Sequence, residues 1–236
     1  MRTDELIVEL ARAAHPVRPL APPLVRMARW TAAALPMTAL SVIVIGPRAD
    51  TSGVASGPAF TAVAAATLGT ALLAAIGAFM LSVPGAERSS RPRIAPLVAG
   101  GVWALGLGVW LTTEDDPLQR LIALPFHALC LIEIVGLSLL PGWMLFAMLR
   151  RAAPLRRAWT AALATLAAVA LGGVATQYLC PLHNPAHQLV GHLLPVACLA
   201  VGGSIVGRRW LNWPGGASLI QSGGRGPDIT GAAETS

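Results

Sequence analysis

Four of the five histidines, His127, His183, His187 and His192, and two of the three cysteines, Cys130 and Cys180, fall in two short stretches of the chain. His127 and Cys130 are three residues apart and Glu133 lies three further on, a spacing that puts them along one helix face. Cys180 opens the run Cys180-Pro181-Leu182-His183-Asn184-Pro185-Ala186-His187, and His192 follows five residues later. Thiols with imidazoles bind thiophilic metal ions, and two thiols can close a disulfide; an oxidising compartment permits both, whereas the reducing cytoplasm suppresses them. Cys130 and Cys180 are the candidate reactive pair. His127 and His183 are the candidate additional metal ligands, with Glu133, His187 and His192 as supporting groups. Plainer roles stand beside these: a solvated interface position for His183 and His187, a protonated acid bonded across helices for Glu133, and a small hydrophobe for Cys198.

The elements that carry these residues follow from composition. Of 236 residues, 55% are hydrophobic and 12% charged, and the mean hydropathy is +0.64. A soluble domain carries about 25% charged residues. Six apolar blocks, Met27 to Ile45, Phe60 to Val83, Ile94 to Leu111, Leu121 to Leu149, Leu155 to Leu179 and Ala186 to Gly207, have the length needed to cross a hydrocarbon core about 30 Å thick. Breakers separate them, among them Gly46-Pro47, Pro84-Gly85, Asp116-Pro117 and Pro154. The expected fold is all-α, a polytopic six-helix transmembrane bundle. Its divisions are a segment at 1–26, a membrane domain at 27–207 and a tail at 208–236, disordered from about residue 215. Short loops leave no room for a separate soluble catalytic domain, and no Cys-x-x-Cys, His-Glu-x-x-His, phosphate-binding glycine loop or nucleophile elbow is present. A non-enzyme is expected. Gly203 and Gly207 are spaced for close helix approach, within the bundle or in a homodimer.

Charge supplies orientation. The formal net charge is +6, the pI about 10.9, and every basic residue other than histidine is arginine. With the spans as drawn, fifteen arginines lie in, or within three residues of, the N-terminal segment, the second and fourth loops and the tail, against Arg48 and Arg120 on the other side. The positive-inside rule then puts both termini in the cytoplasm and the cysteine-histidine cluster at the outer face. The basic character is an orientation signal and gives no support for direct nucleic-acid binding. A cleaved signal peptide is disfavoured, because the region before the first span is long and contains acids.

Residues Thr3 to Ala14 have helical periodicity, with Leu6, Ile7, Leu10, Ala11 and Ala14 on one face, Asp4 and Glu5 in the first turn and Arg12 near the end. Pro16 stops this short amphipathic helix, and Pro16-Val17-Arg18-Pro19-Leu20-Ala21-Pro22-Pro23 follows as a semi-rigid spacer. A helix of about 12 residues is marginal alone in water and needs a surface for its apolar face, either the bilayer and loops or a partner protein.

Arg2-Thr3-Asp4-Glu5-Leu6-Ile7, Pro16-Val17-Arg18-Pro19-Leu20, Leu81-Ser82-Val83-Pro84-Gly85, Cys130, Arg150-Arg151-Ala152-Ala153-Pro154-Leu155 and Cys180-Pro181, in this order, resemble the NrsF family of six-span bacterial membrane anti-sigma factors. The resemblance covers about residues 1 to 213. It implies a protein of the bacterial inner membrane that sequesters an extracytoplasmic-function sigma factor through its cytoplasmic N-terminal segment, where Leu6, Ile7, Leu10, Val17 and Leu20 are the candidate contacts. It also implies that Cys130 and Cys180, which match the family's two cysteines, mediate release under thiol-reactive stress. Cys198 matches no family position. The turn after Cys180 is richer in histidine than the family pattern, so heavy metal and oxidant both stand as the stimulus. No resident cofactor is expected, only a transient heavy-metal ion as candidate ligand. The rival from another class is a small membrane redox, metal or haem protein using His127, His187 and His192, with Glu133 serving proton movement.

Overall fold

The computed structural model describes residues 2–13, 19–49, 57–117, 119, 128–152, 154–182 and 184–211, apart from the side chains of Leu10, Ala13 and Glu87. His127, His183, Val17 and the tail beyond Leu211 lie outside the described residues. Seven helices and no strand are found among those described: α1 (Thr3–Ala13), α2 (Pro23–Ile45), α3 (Pro58–Met80), α4 (Arg91–Thr112), α5 (Ala128–Arg150), α6 (Arg157–Leu179) and α7 (Pro185–Trp210). Helices α2 to α7 are each long and apolar enough to cross a membrane.

Proline starts several of them. Pro23, Pro58 and Pro185 sit at the first helical position, where the missing N–H has no intrahelical partner to lose. Pro36, Pro96 and Pro141 lie inside helices, as spanning helices tolerate when neighbours satisfy the freed backbone. One such neighbour is Trp30, whose Nε1 donates to the Pro141 carbonyl at 2.9 Å.

The bundle is built around α6. It packs against α3, α5 and α7 and more lightly against α2, while α4 lies on α3 and reaches the first turns of α7. The sequence of α6 explains its place: Ala161, Ala164, Ala167, Ala170, Gly172, Gly173 and Ala175 are all buried, and such small residues let neighbouring backbones come close. Gly203 and Gly207 of α7 are spent on this packing, since a Cβ there would strike Thr165 and Ala161 of α6. Large apolar side chains on the outer helices, among them Leu40, Val44, Leu105, Ile132, Leu139, Val201 and Ile205, face outward, as a bundle in lipid requires.

The first span begins at Pro23, four residues earlier than hydropathy places it, because Arg26 is accommodated inside the bundle. Its guanidinium donates to Ser82 Oγ at 2.8 Å and to the Met148 carbonyl at 2.7 Å, and it stands 4.8 Å above the Phe79 ring. The second span ends at Met80, short of Val83, where residues 81–85 turn and Gly85 takes φ +90. Helix α1 has Leu6 and Ile7 40% and 58% exposed and Val8 half exposed.

Candidate functional site

The site forms where α5 begins, α6 ends and α7 begins. Cys180 follows the last residue of α6 and precedes Pro181, a position that disfavours helical geometry; its backbone is extended (φ −73, ψ 124) while its N–H still closes on the Thr176 carbonyl at 2.7 Å. The chain then re-enters a helix through Asn184, whose Oδ1 accepts the His187 N–H at 2.8 Å as an N-cap. That cap sets His187 in the first turn of α7. Gln188–Leu193 forms a π-helical turn carrying His192.

These elements bring Cys130, Cys180, His187 and His192 together, with their ligand atoms within 4.8 Å of one another. All four are buried, His192 completely. The two sulfurs lie 3.5 Å apart; His187 Nε2 is 3.5 Å from Cys130 Sγ and 3.3 Å from Cys180 Sγ. The His187 and His192 rings meet edge to face with centroids 5.2 Å apart. Neither ring nitrogen of His192 has a hydrogen-bond partner among the described residues. The pKa of the Cys180 thiol, just beyond α6, is lowered chiefly by its hydrogen bond with Cys130; His187 acts in the same direction and burial opposes both.

Two histidines expected only as support, His187 and His192, are therefore at the thiols. On an α-helix residues five apart diverge by about 140°, at 3.6 residues per turn; the wider π turn brings them back to one face. Glu133 is half-buried on α5 with Oε2 unpartnered among the described residues, and it is outside the four-residue group. Cys198 is exposed on α7.

Three supporting residues carried no motif. Arg48, beyond α2, donates to the Cys180 carbonyl at 2.8 Å and the Pro181 carbonyl at 3.1 Å, and its N–H bonds Tyr178 O at 3.0 Å. Its signal in the sequence is that it is one of two arginines on the cation-poor side. Gly191 makes room for His187, because a Cβ there would lie 2.8 Å from the imidazole Cε1. Arg26 lies at the opposite end of the bundle, one helical turn before the buried Trp30.

Among the described residues, fold and site define an all-helical protein with six helices able to span a membrane and a buried thiol-imidazole cluster at one end. The chain matches the family described as negative regulator of sigma F over residues 10–213 and belongs to that family, NrsF. No curated protein and no solved structure matches it. The chain is thus a negative regulator whose partner is a sigma factor.

Proposed function

We propose that the protein is an inner-membrane anti-sigma factor that holds an extracytoplasmic-function sigma factor through residues 1–26 and releases it when thiol-reactive stress reaches Cys130 and Cys180. The observation that carries this reading is the approach of these two thiols. They come from the first turn of α5 and the residue just beyond α6, 50 residues apart, and meet at 3.5 Å in a buried position. An agent that accepts two electrons closes a disulfide between them with release of two protons; a thiophilic cation displaces the thiol protons and is bound in their place.

Sidedness supports the direction of signalling. Arg88, Arg91, Arg93, Arg150, Arg151, Arg156, Arg157, Arg208 and Arg209 flank the helix ends remote from the thiols, so the positive-inside rule faces the cluster outward and both termini inward. Exposed Leu6 and Ile7 of α1, with Leu20 of the spacer, offer the sigma factor an apolar surface on the inner side. The rival haem reading needs space for a macrocycle between imidazoles, and the cluster residues are packed against one another.

The test is a sigma-dependent reporter in cells carrying the Cys130→Ser, Cys180→Ser double variant. Cadmium or oxidant should induce the wild type and leave the variant silent; equal induction would overturn the reading. Leu6→Asp with Leu10→Asp in the full chain should abolish co-purification of the sigma factor, and retention would move the contact elsewhere.

A further inference from the structure

We propose that Cys130, Cys180, His187 and His192 form a Cys2His2 site for a single thiophilic divalent cation with a filled d shell, of the zinc and cadmium type. The role of that site in signalling rests on the thiol-sensing reading above, but binding itself does not.

The spacing of the four groups argues for a metal more than for a disulfide alone. With ligand bonds of about 2.3 Å to sulfur and about 2.0–2.1 Å to nitrogen, a regular tetrahedron has edges of about 3.8 Å between sulfurs and about 3.6 Å between sulfur and nitrogen. The three measured edges, Cys130 to Cys180, Cys130 to His187 and Cys180 to His187, are 3.5, 3.5 and 3.3 Å. One triangular face of the polyhedron is thus nearly at its bound dimensions. A disulfide would require the sulfurs to close to about 2.05 Å and would leave both imidazoles without a function.

His192 supplies the fourth vertex. It is fully buried, and both its nitrogens are unpartnered among the described residues. A buried imidazole in that condition loses free energy for every unmade hydrogen bond, a loss that coordination through one nitrogen offsets. The π turn over Gln188–Leu193 is the local departure from α geometry that sets His192 beside His187.

Charge balance favours this ligand set in a buried position. Binding of M2+ by two thiols and two neutral imidazoles releases two protons and leaves two thiolates around a divalent ion, a neutral unit. A neutral unit avoids the large desolvation penalty of an isolated buried charge. Soft sulfur donors with imidazole select zinc-like ions over magnesium and calcium, which take oxygen ligands.

The experiment uses the purified full chain, reduced, in nanodiscs. Cadmium and cobalt are titrated, and the thiolate-to-metal charge-transfer absorption and the visible cobalt bands are read. The expected result is one metal per chain, tetrahedral cobalt bands, and protection of Cys130 and Cys180 from a membrane-permeant alkylating agent, with exposed Cys198 as internal control. Cys130→Ser, Cys180→Ser, His187→Gln and His192→Gln should each weaken binding by more than the about 10- to 100-fold that a change outside the ligand set costs. Thermal unfolding of each metal-free variant separates loss of a ligand from loss of fold, and the wild-type cobalt spectrum stands independently of all variants. Wild-type affinity retained in both histidine variants, or a cobalt spectrum that is not four-coordinate, would overturn the site. Stoichiometric binding with no release of the co-purified sigma factor would leave the site standing and overturn its sensing role; oxidant-dependent release from a protein that binds no metal would do the reverse.

Discussion

Arg26 of α2 donates through Nη2 to the carbonyl of Met148, near the end of α5, at 2.7 Å. Helix α5 carries Cys130 near its other end, 18 residues or about 27 Å away along the helix axis. Immediately before α2 lies the proline-rich spacer that leads back to α1. The thiol cluster and the N-terminal segment are therefore joined by one helix and one buried guanidinium, which Ser82 Oγ and the face of Phe79 also hold.

Replacing Arg26 should uncouple the two ends. Arg26→Met keeps the aliphatic stem and removes the donors, leaving the Met148 carbonyl without its charged partner, a loss of about 1.5–3 kcal/mol. The expected outcome is raised basal sigma activity without stress, while cadmium binding by the purified protein stays at the wild-type level. Arg26→Lys retains charge but loses the planar fork and should fall between. A sigma reporter beside a cadmium titration checks both, and normal repression in Arg26→Met would remove this residue from the signalling route.

How far the sequence disclosed this arrangement depends on the kind of signal each residue left. The six spans follow from hydropathy because lipid demands runs of a given length. Hydropathy puts Arg26 outside the first span for the same reason, since a charge lowers hydropathy whatever three-dimensional partners await it. The thiol pair was legible because Cys130 and Cys180 fall on one side once the arginines orient the chain. The approach of His187 and His192 is not legible in the same way, because it depends on a π turn that periodicity does not reveal; His127 and His183, nearest the thiols in sequence, lie outside the described residues. Gly203 and Gly207 were legible as a close-packing pair, and only the fold assigns their partner to α6.

Gly191 offers a test of the imidazole arrangement that leaves every candidate ligand in place. A Cβ at this position would sit 2.8 Å from His187 Cε1 and 3.1 Å from both ring nitrogens, so Gly191→Ala must displace the ring. Cadmium affinity should fall by at least about 10-fold, comparable to disturbing an orienting neighbour of a ligand. Alanine is the better helix former by about 1 kcal/mol, so thermal stability should hardly drop. Gly106→Ala, with open space around its Cβ, is the control and should change neither quantity. Equal affinities in the two variants would dissociate His187 from the metal.

Arg48 holds the Cys180 turn from outside. Its side chain bonds the carbonyls of Cys180 and Pro181, and a charge-assisted hydrogen bond contributes about 1.5–3 kcal/mol. In Arg48→Met that stabilisation is lost, so opening of the turn becomes at least about 10-fold more frequent. Alkylation of Cys180 by a membrane-permeant maleimide should accelerate by the same factor, while Cys198, remote on α7, keeps its rate. Mass spectrometry of the two modified peptides over time measures both. An unchanged Cys180 rate would mean that other contacts of the turn limit its opening.

The distance between the thiols is set in part by how closely α5 approaches α6, and Gly172 controls that approach. A Cβ at Gly172 would lie 2.5 Å from Ser138 Oγ and 2.6 Å from the Ile134 carbonyl, both on α5. The Ile134 carbonyl is backbone and cannot rotate away, and it already accepts the Ser138 hydroxyl, so the helices themselves must separate. Gly172→Ala should destabilise the bundle by about 1–3 kcal/mol, the usual cost of overpacking. Because Cys130 lies one turn before Ile134 on α5, and Cys180 two turns beyond Gly172 at the end of α6, the separation should reach the thiols. Oxidant-driven disulfide formation and cadmium affinity should then both decline, and a sigma reporter should need a higher cadmium dose for half-maximal induction. Gly173→Ala, whose nearest neighbours are ordinary van der Waals contacts at 3.7 and 3.8 Å, should leave all three measurements near wild type. If the two glycine variants behaved alike, the α5–α6 spacing would not be what sets the geometry of the site.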